Sequence, residues 1–149
     1  MNTAHPSQPG EQKPRLGCAG IVRKGEAVLL GKRAKDPKRG LWILPGGGVK
    51  FGETFATTLK RELAEEAHIQ IETGCFFNVY ELVNPPAEHR VIVYLNAIHL
   101  AGEPAASSDL SEVRFFLPRE LEQLSRQKQI SPFVEQVLRD AKLLSTTGT

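Results

Sequence analysis

The chain has only two cysteines, one methionine and one tryptophan, and no block of like charge. Cys18 and Cys75 are far apart in sequence and imply no disulfide framework. Neither has a cluster of further metal ligands beside it. Each stands among apolar, strand-like residues, so both are read as small buried hydrophobes. No apolar run approaches the roughly 20 residues that a membrane-crossing helix needs. The first residues, MNTAHPSQPGEQKP, contain no apolar core of a secretory leader. A cytoplasmic, reducing setting is therefore the expectation. The formal charge of +2 comes from 19 basic and 17 acidic residues dispersed along the chain. That balance argues against a nucleic-acid or membrane-surface partner.

What is present is ordinary for one globular domain: 149 residues, 40% hydrophobic and 24% charged. Residues 1–14 and 145–149 are polar and read as flexible tails, which leaves a domain over 15–144. Leu16 to Val22 and Ala27 to Lys32 read as strands joined by the turn Lys24-Gly25-Glu26. A polar loop from Arg33 to Gly40 leads to a brief strand, Leu41 to Leu44. Pro45-Gly46-Gly47-Gly48 is then expected to break regular structure. A helix over Thr54 to Ala67, with Thr54 as N-cap, precedes strands at Gln70 to Val83 and Arg90 to Leu100. The second of these, strongly apolar, is expected inside the sheet. A last strand, Val113 to Leu117, is followed by helices near Pro118 to Leu124 and Ser131 to Leu144. Strands punctuated by helices predict an α/β fold: a mixed sheet with helices on both faces.

The most informative stretch is GGVKFGETFATTLKRELAEEAHI, Gly47 to Ile69. An α-helix turns about 100° per residue, so with Phe55 at zero, Leu59, Leu63 and Ala67 lie near about 40°, about 80° and about 120°. That stripe should face the core. On the same wheel Glu62 lies near about −20°, Glu66 near about 20° and Glu65 near about −80°. A merely solvated acidic face would lie opposite the stripe, yet Glu62 and Glu66 share its side. Unpaired buried carboxylates are costly, and a bound cation would compensate them. Carboxylate oxygens suit Mg²⁺ or Mn²⁺. Glu53 precedes the helix and can reach back. Arg61, which cannot bind a cation, can orient Glu53 and Glu65. Gly46, Gly47 and Gly48 allow positive φ and a close backbone approach to an ion or phosphate.

These residues resemble the signature of the Nudix hydrolases, G-x5-E-x7-R-E-U-x-E-E-x-G-U. Gly47, Glu53, Arg61, Glu62, Leu63, Glu65, Glu66 and Ile69 match it. His68 stands where the second glycine is expected, closing the helix in a left-handed conformation that histidine enters less readily than glycine. Trp42-Ile43-Leu44-Pro45-Gly46-Gly47 is similar to the family's entry to the signature. The resemblance implies an α/β/α sandwich around a mixed sheet. It also implies metal-dependent hydrolysis of a nucleoside diphosphate linked to another moiety, with Mg²⁺ or Mn²⁺ as cofactor. Carried over, Glu62, Glu65 and Glu66 hold the metal, and Glu53 is ligand or base with Arg61 orienting it. The carbonyl of Gly46 or Gly47 adds a ligand. Glu112 is the first candidate for a late-loop base and Asp109 the second.

The partner implied is a small-molecule nucleotide, with a homodimer left open. LLGKR…GLWILPGGGVKFGET looks most like the MutT-like nucleoside triphosphate subgroup. ADP-ribose and nucleotide sugars are the alternatives, and a non-catalytic nucleotide-sensing module is the reading from another class. Arg33, Lys38 and Arg39 are candidate phosphate contacts, and Phe51 a candidate flank. Trp42 either stacks on a base or packs in the core, with packing favoured. His89 and Arg90 are weaker substrate candidates.

Overall fold

The computed structural model describes residues 12–145; most of both expected tails lies outside the described residues. In chain order the elements are β1 (Arg15–Lys24), β2 (Ala27–Arg33), β3 (Trp42–Ile43), β4 (Gly46–Gly48), α1 (Phe55–Ala67), β5 (Gln70–Asn84), β6 (Glu88–Ala101), β7 (Leu110–Phe116), α2 (Pro118–Arg126) and α3 (Pro132–Asp140). The seven strands form one sheet in the order β3-β2-β1-β6-β5, with β4 also on β1 and β7 also on β2. β1 and β6 run parallel, Cys18 opposite Val93 and Ala19 opposite Tyr94. The other pairings are antiparallel. The sheet is therefore mixed, and β6 lies inside it.

Successive side chains of a strand point to opposite faces, and both faces here are buried. On one face Ile21, Val28, Leu30, Ile92 and Tyr94 pack with Leu121 of α2 and Val134, Val137 and Leu138 of α3. On the other, Cys18, Val22, Leu29, Val93 and Leu95 pack with Leu59, Leu63 and Ala67 of α1. The result is an α/β/α sandwich. Burial on both sides explains why β1, β2 and β6 read as nearly continuous apolar runs. No helix among the described residues is long and apolar enough to cross a membrane.

Helix α1 begins where expected. The Thr54 hydroxyl accepts from the Thr57 N–H at 3.1 Å, a side-chain N-cap. It ends at His68, left-handed at φ 60°, whose N–H donates to the Leu63 carbonyl. Three expectations change. Gly46–Gly48 is a strand and not a break, because β1 supplies a partner. Phe55 is 37% exposed, since the buried stripe starts only at Thr58 and Leu59. Cys18 is buried but Cys75 is exposed on β5, and both are free thiols.

His68 holds a conformation that costs an L-residue side chain roughly 1–2 kcal/mol. His68→Gly should therefore stabilise the chain by about 1 kcal/mol, part of the gain being offset by the greater freedom of glycine when unfolded. Chemical denaturation with both variants at matched pH measures this. An unchanged or lower midpoint would show that the cap is not strained.

Candidate active site

The site begins with the antiparallel pairing of β4 on β1, which sets Ala19 opposite Gly46 and Cys18 opposite Gly47. The approach is too close for side chains. A Cβ at Gly46 would overlap the carbonyl oxygen of Cys18 and the backbone of Ala19, and a Cβ at Gly47 would overlap the carboxyl group of Glu62. Neither glycine has positive φ. Their requirement is space, not a left-handed turn. At Gly48 a Cβ would meet nothing within 4 Å.

α1 then delivers Arg61 into the middle of three carboxylates. Its Nε donates to Glu53 Oε2 at 2.7 Å and its Nη2 to Glu53 Oε1 at 3.0 Å, a bidentate pair. Nη1 donates to Glu62 Oε2 at 2.8 Å and Glu65 Oε1 at 3.2 Å. Nη2 also reaches the carbonyl of Gly48 at 3.1 Å, tying helix to strand. Glu53 takes two further donors, the Lys50 N–H at 3.0 Å and the Thr58 hydroxyl at 2.8 Å. Its carboxyl is accordingly pulled down to about 2, first by the Arg61 bonds and next by the Lys50 N–H. The Glu53 bonds in turn raise the proton affinity of Arg61 against the opposing effect of burial.

Glu66 faces elsewhere. It meets Asp109, at the entry to β7, and its carboxyl is pushed up to about 7 by burial, then by the hydrogen bond and charge of Asp109 and by the charges of Glu62 and Glu65. Asp109 is lowered, first by Lys35 and then by its bond to Glu66. Lys35 Nζ lies 3.0 Å from Asp109 Oδ1. The contact thus favours the protonated form of Glu66 and the charged form of Asp109.

Five carboxyls (Glu53, Glu62, Glu65, Glu66, Asp109) meet two cations (Arg61, Lys35), an excess of three acids. With Arg61 turned onto Glu62 and Glu65, no three acidic, histidine or cysteine side chains among the described residues close on one point. The donor chemistry nevertheless fits a hard divalent cation: oxygen ligands only, surplus negative charge, and a glycine whose missing side chain makes room for the Glu62 carboxyl. Glu62, Glu65 and Glu66 are the residues that would hold it.

These acids lie in a cleft of about 1510 Å³. Its lining includes the acids Glu62, Glu65 and Glu66, the glycines Gly46–Gly48, the basic residues Arg33, Lys35 and Lys38, and the apolar or aromatic residues Ile92, Tyr94 and Phe133. Arg33 Nε braces that loop by donating to the Pro37 carbonyl at 2.7 Å. Other sequence candidates stand outside. Arg39 is exposed beside Asp36. Trp42 is buried, its ring edge-on to Phe116 at 4.8 Å, so the indole is enclosed in the core and is not offered to a base. Phe51 projects fully into solvent from its loop. Glu112 is exposed and turned toward Arg114, away from the cleft lining, so Asp109 is the late acid that meets the site. His89 and Arg90, by contrast, line the cleft, His89 bonded to Glu81 at 2.9 Å. Lys35, Thr58, Tyr94 and Phe133 were not foreseen. Only Thr58 left a trace, falling on the acid-bearing side of the wheel.

Comparison with known proteins gives the family and the fold. The model of the NUDIX domain family matches residues 12–139. The chain is 32% identical over 104 residues to the ADP-ribose pyrophosphatase of Methanocaldococcus jannaschii, covering 69% of this chain and 62% of that protein. It is 44% identical over 58 residues to the putative 8-oxo-dGTP diphosphatase 2 of Mycobacterium tuberculosis (strain ATCC 25618 / H37Rv), covering 38% and 41%. The chain thus spans less than two thirds of either curated relative. The crystal structure of the MutT NUDIX hydrolase from Burkholderia pseudomallei superposes with a TM-score of 0.75 at 26% identity, over 87% of this chain and 98% of that one.

Two outcomes follow from the geometry. Gly47→Ala displaces only the flexible end of Glu62, so it should leave the unfolding midpoint near wild type while weakening Mg²⁺ binding about tenfold or more. Gly46→Ala meets backbone and should destabilise, and Gly48→Ala should do neither; calorimetry with Mg²⁺ and thermal melts separate the three. In EDTA, the stabilisation from protonated Glu66 is complete below the ordinary carboxyl value of 4.5 and is lost as pH rises through about 7. Denaturation across that window should show stability falling with pH, and Glu66→Gln should remove the slope. Glu53 acts in the opposite sense, its stabilisation lost as pH falls from 4.5 toward about 2.

Proposed function

The chain belongs to the NUDIX family, and from that premise we propose that it is a divalent-metal-dependent hydrolase of nucleoside diphosphate derivatives, acting on (deoxy)nucleoside triphosphates. The observation that carries the reading is the acid cluster around Arg61, which lines one cleft together with Arg33, Lys35 and Lys38. Acids and bases lining the same cleft suit a phosphate chain held between a cation site and lysines or arginines.

In the reaction a water oxygen bonds to phosphorus, the bridging phosphoanhydride bond breaks, and the water loses a proton. A divalent ion, when bound, supplies a water that ionises near neutral pH and offsets the phosphate charge. The chain's own residues do the rest. Glu62, Glu65 and Glu66 present oxygens, and Arg61 keeps Glu62 and Glu65 in place against Gly48. Arg33, Lys35 and Lys38 face the phosphates. Asp109 meets Glu66 beside these acids and is the acceptor within reach for a proton leaving the site. Phe133, partly exposed beside the buried Ile92 and Tyr94, is the apolar contact offered to the nucleoside.

A second reading, ADP-ribose or a nucleotide sugar as substrate, is favoured by the Methanocaldococcus jannaschii pyrophosphatase, which matches over 69% of this chain. The products distinguish the two: pyrophosphate from a triphosphate, AMP and a sugar phosphate from ADP-ribose. The deciding experiment is a panel of nucleoside triphosphates (8-oxo-dGTP included), ADP-ribose, nucleotide sugars and dinucleoside polyphosphates with Mg²⁺ or Mn²⁺. Turnover of a triphosphate with pyrophosphate release is expected, and silence across the panel would overturn the enzyme reading. With the best substrate, Glu65→Gln should lower kcat by about a hundredfold or more at an unchanged unfolding midpoint.

A further inference from the structure

Thr58 is a polar side chain with no exposed surface. Among the described residues, it and Ser131 are the polar side chains that are buried. It sits one turn before Glu62 on α1, at a helix position where an apolar residue would fill the core as well. A buried hydroxyl needs a partner. In a helix the usual one is the carbonyl three or four residues back, which can accept from a hydroxyl as well as from the helical N–H. The hydroxyl instead donates to Glu53 Oε1 at 2.8 Å.

Glu53 Oε1 thereby accepts from three directions: the Lys50 N–H of the preceding loop, the Thr58 hydroxyl of the helix body and Arg61 Nη2. The Lys50 donor is a backbone N–H of the loop before the helix, and the Arg61 donor stands at the end of a long side chain. Thr58 has a short, β-branched side chain locked by packing. It is the donor closest to the helix backbone among the three. Glu53 in turn supplies the bidentate partner of Arg61, and Arg61 holds Glu62 and Glu65.

We propose that Thr58, at a position the family signature leaves unspecified, is a positioning residue that sets Glu53 and, through Glu53, the orientation of Arg61 and the two acids it holds. The inference rests on the proposed hydrolase reading for its activity consequence, but its structural part stands without it. Thr58→Val keeps the side-chain shape and removes the hydroxyl; Thr58→Ser keeps the hydroxyl and removes a methyl group.

The test compares these two variants in the full chain. Hydrogen exchange of the Arg61 Nε–H, followed by NMR without metal or substrate, should quicken severalfold in Thr58→Val and stay near wild type in Thr58→Ser. With the best substrate of the panel, Thr58→Val should lower kcat about tenfold with KM within about twofold, and Thr58→Ser should restore most of the rate. Wild-type exchange in Thr58→Val would overturn the proposal. So would equal losses in both variants with parallel drops in unfolding temperature, which would assign the residue to packing alone. If nothing in the panel is hydrolysed, the hydrolase reading fails and the exchange comparison still decides the role of Thr58.

Discussion

Five hydrogen bonds from one guanidinium hold the centre of this molecule together. Arg61 engages both oxygens of Glu53, one of Glu62, one of Glu65 and the carbonyl of Gly48. Carboxylates about 5 Å apart repel by about 3 kcal/mol at an effective dielectric near 20. Three of them gather here only because a cation that never loses its charge stands between them. The side chain of Arg61 is 20% exposed, and those of Glu53 and Glu62 are 14% and 15% exposed. These pairs are therefore screened far less than ordinary surface ion pairs.

That arrangement depends on β1. Its register with β4 puts Gly46 and Gly47 beside the strand, and its parallel register with β6 extends the same sheet on the other side. β1 alternates Cys18 and Val22 toward α1 and Ala19 and Ile21 toward α2 and α3. One strand therefore anchors the helix that carries the acids and forms part of the floor beneath the cleft. Arg61 closes the circuit by bonding α1 to the Gly48 carbonyl. The glycines are needed because two backbones and a carboxyl group meet where a methyl group would not fit.

Much of this could be read from local sequence. The bounds of α1, the Thr54 cap and the left-handed His68 all follow from neighbours within four residues. The helical period also separated the acids, since Glu62 and Glu66 are partly buried while Glu65 is exposed. The rest needed distant partners. Gly46–Gly48 has almost no strand propensity and becomes a strand because residues 17–19 lie alongside. Trp42 belongs to the core because Phe116, far along the chain, packs on its ring. Phe55 obeys the wheel but lies in the first turn, where the buried stripe has not yet begun. Cys75 stands in an apolar sequence, yet its register on β5 leaves it in solvent.

The choice between Asp109 and Glu112 shows what separates spacing from geometry. Both are acids near the start of the last strand, and no local pattern ranks them. β2 and β7 pair Lys32 with Glu112 and Arg33 with Leu110, so the register shifts between those two steps. The irregularity takes up Ser111 and leaves Glu112 on the solvent side. Asp109 falls just beyond the pairing, where the Ala34 N–H donates to its carbonyl at 3.0 Å and Lys35 meets its carboxylate. The basic loop after β2 and the acid before β7 are thus bonded to each other through main chain and side chain alike. They reach Glu66 as a unit. A bulge that re-aims one side chain is a recurrent device at the edge of functional sites. Here its effect is to join the basic residues of the cleft to the acids of α1.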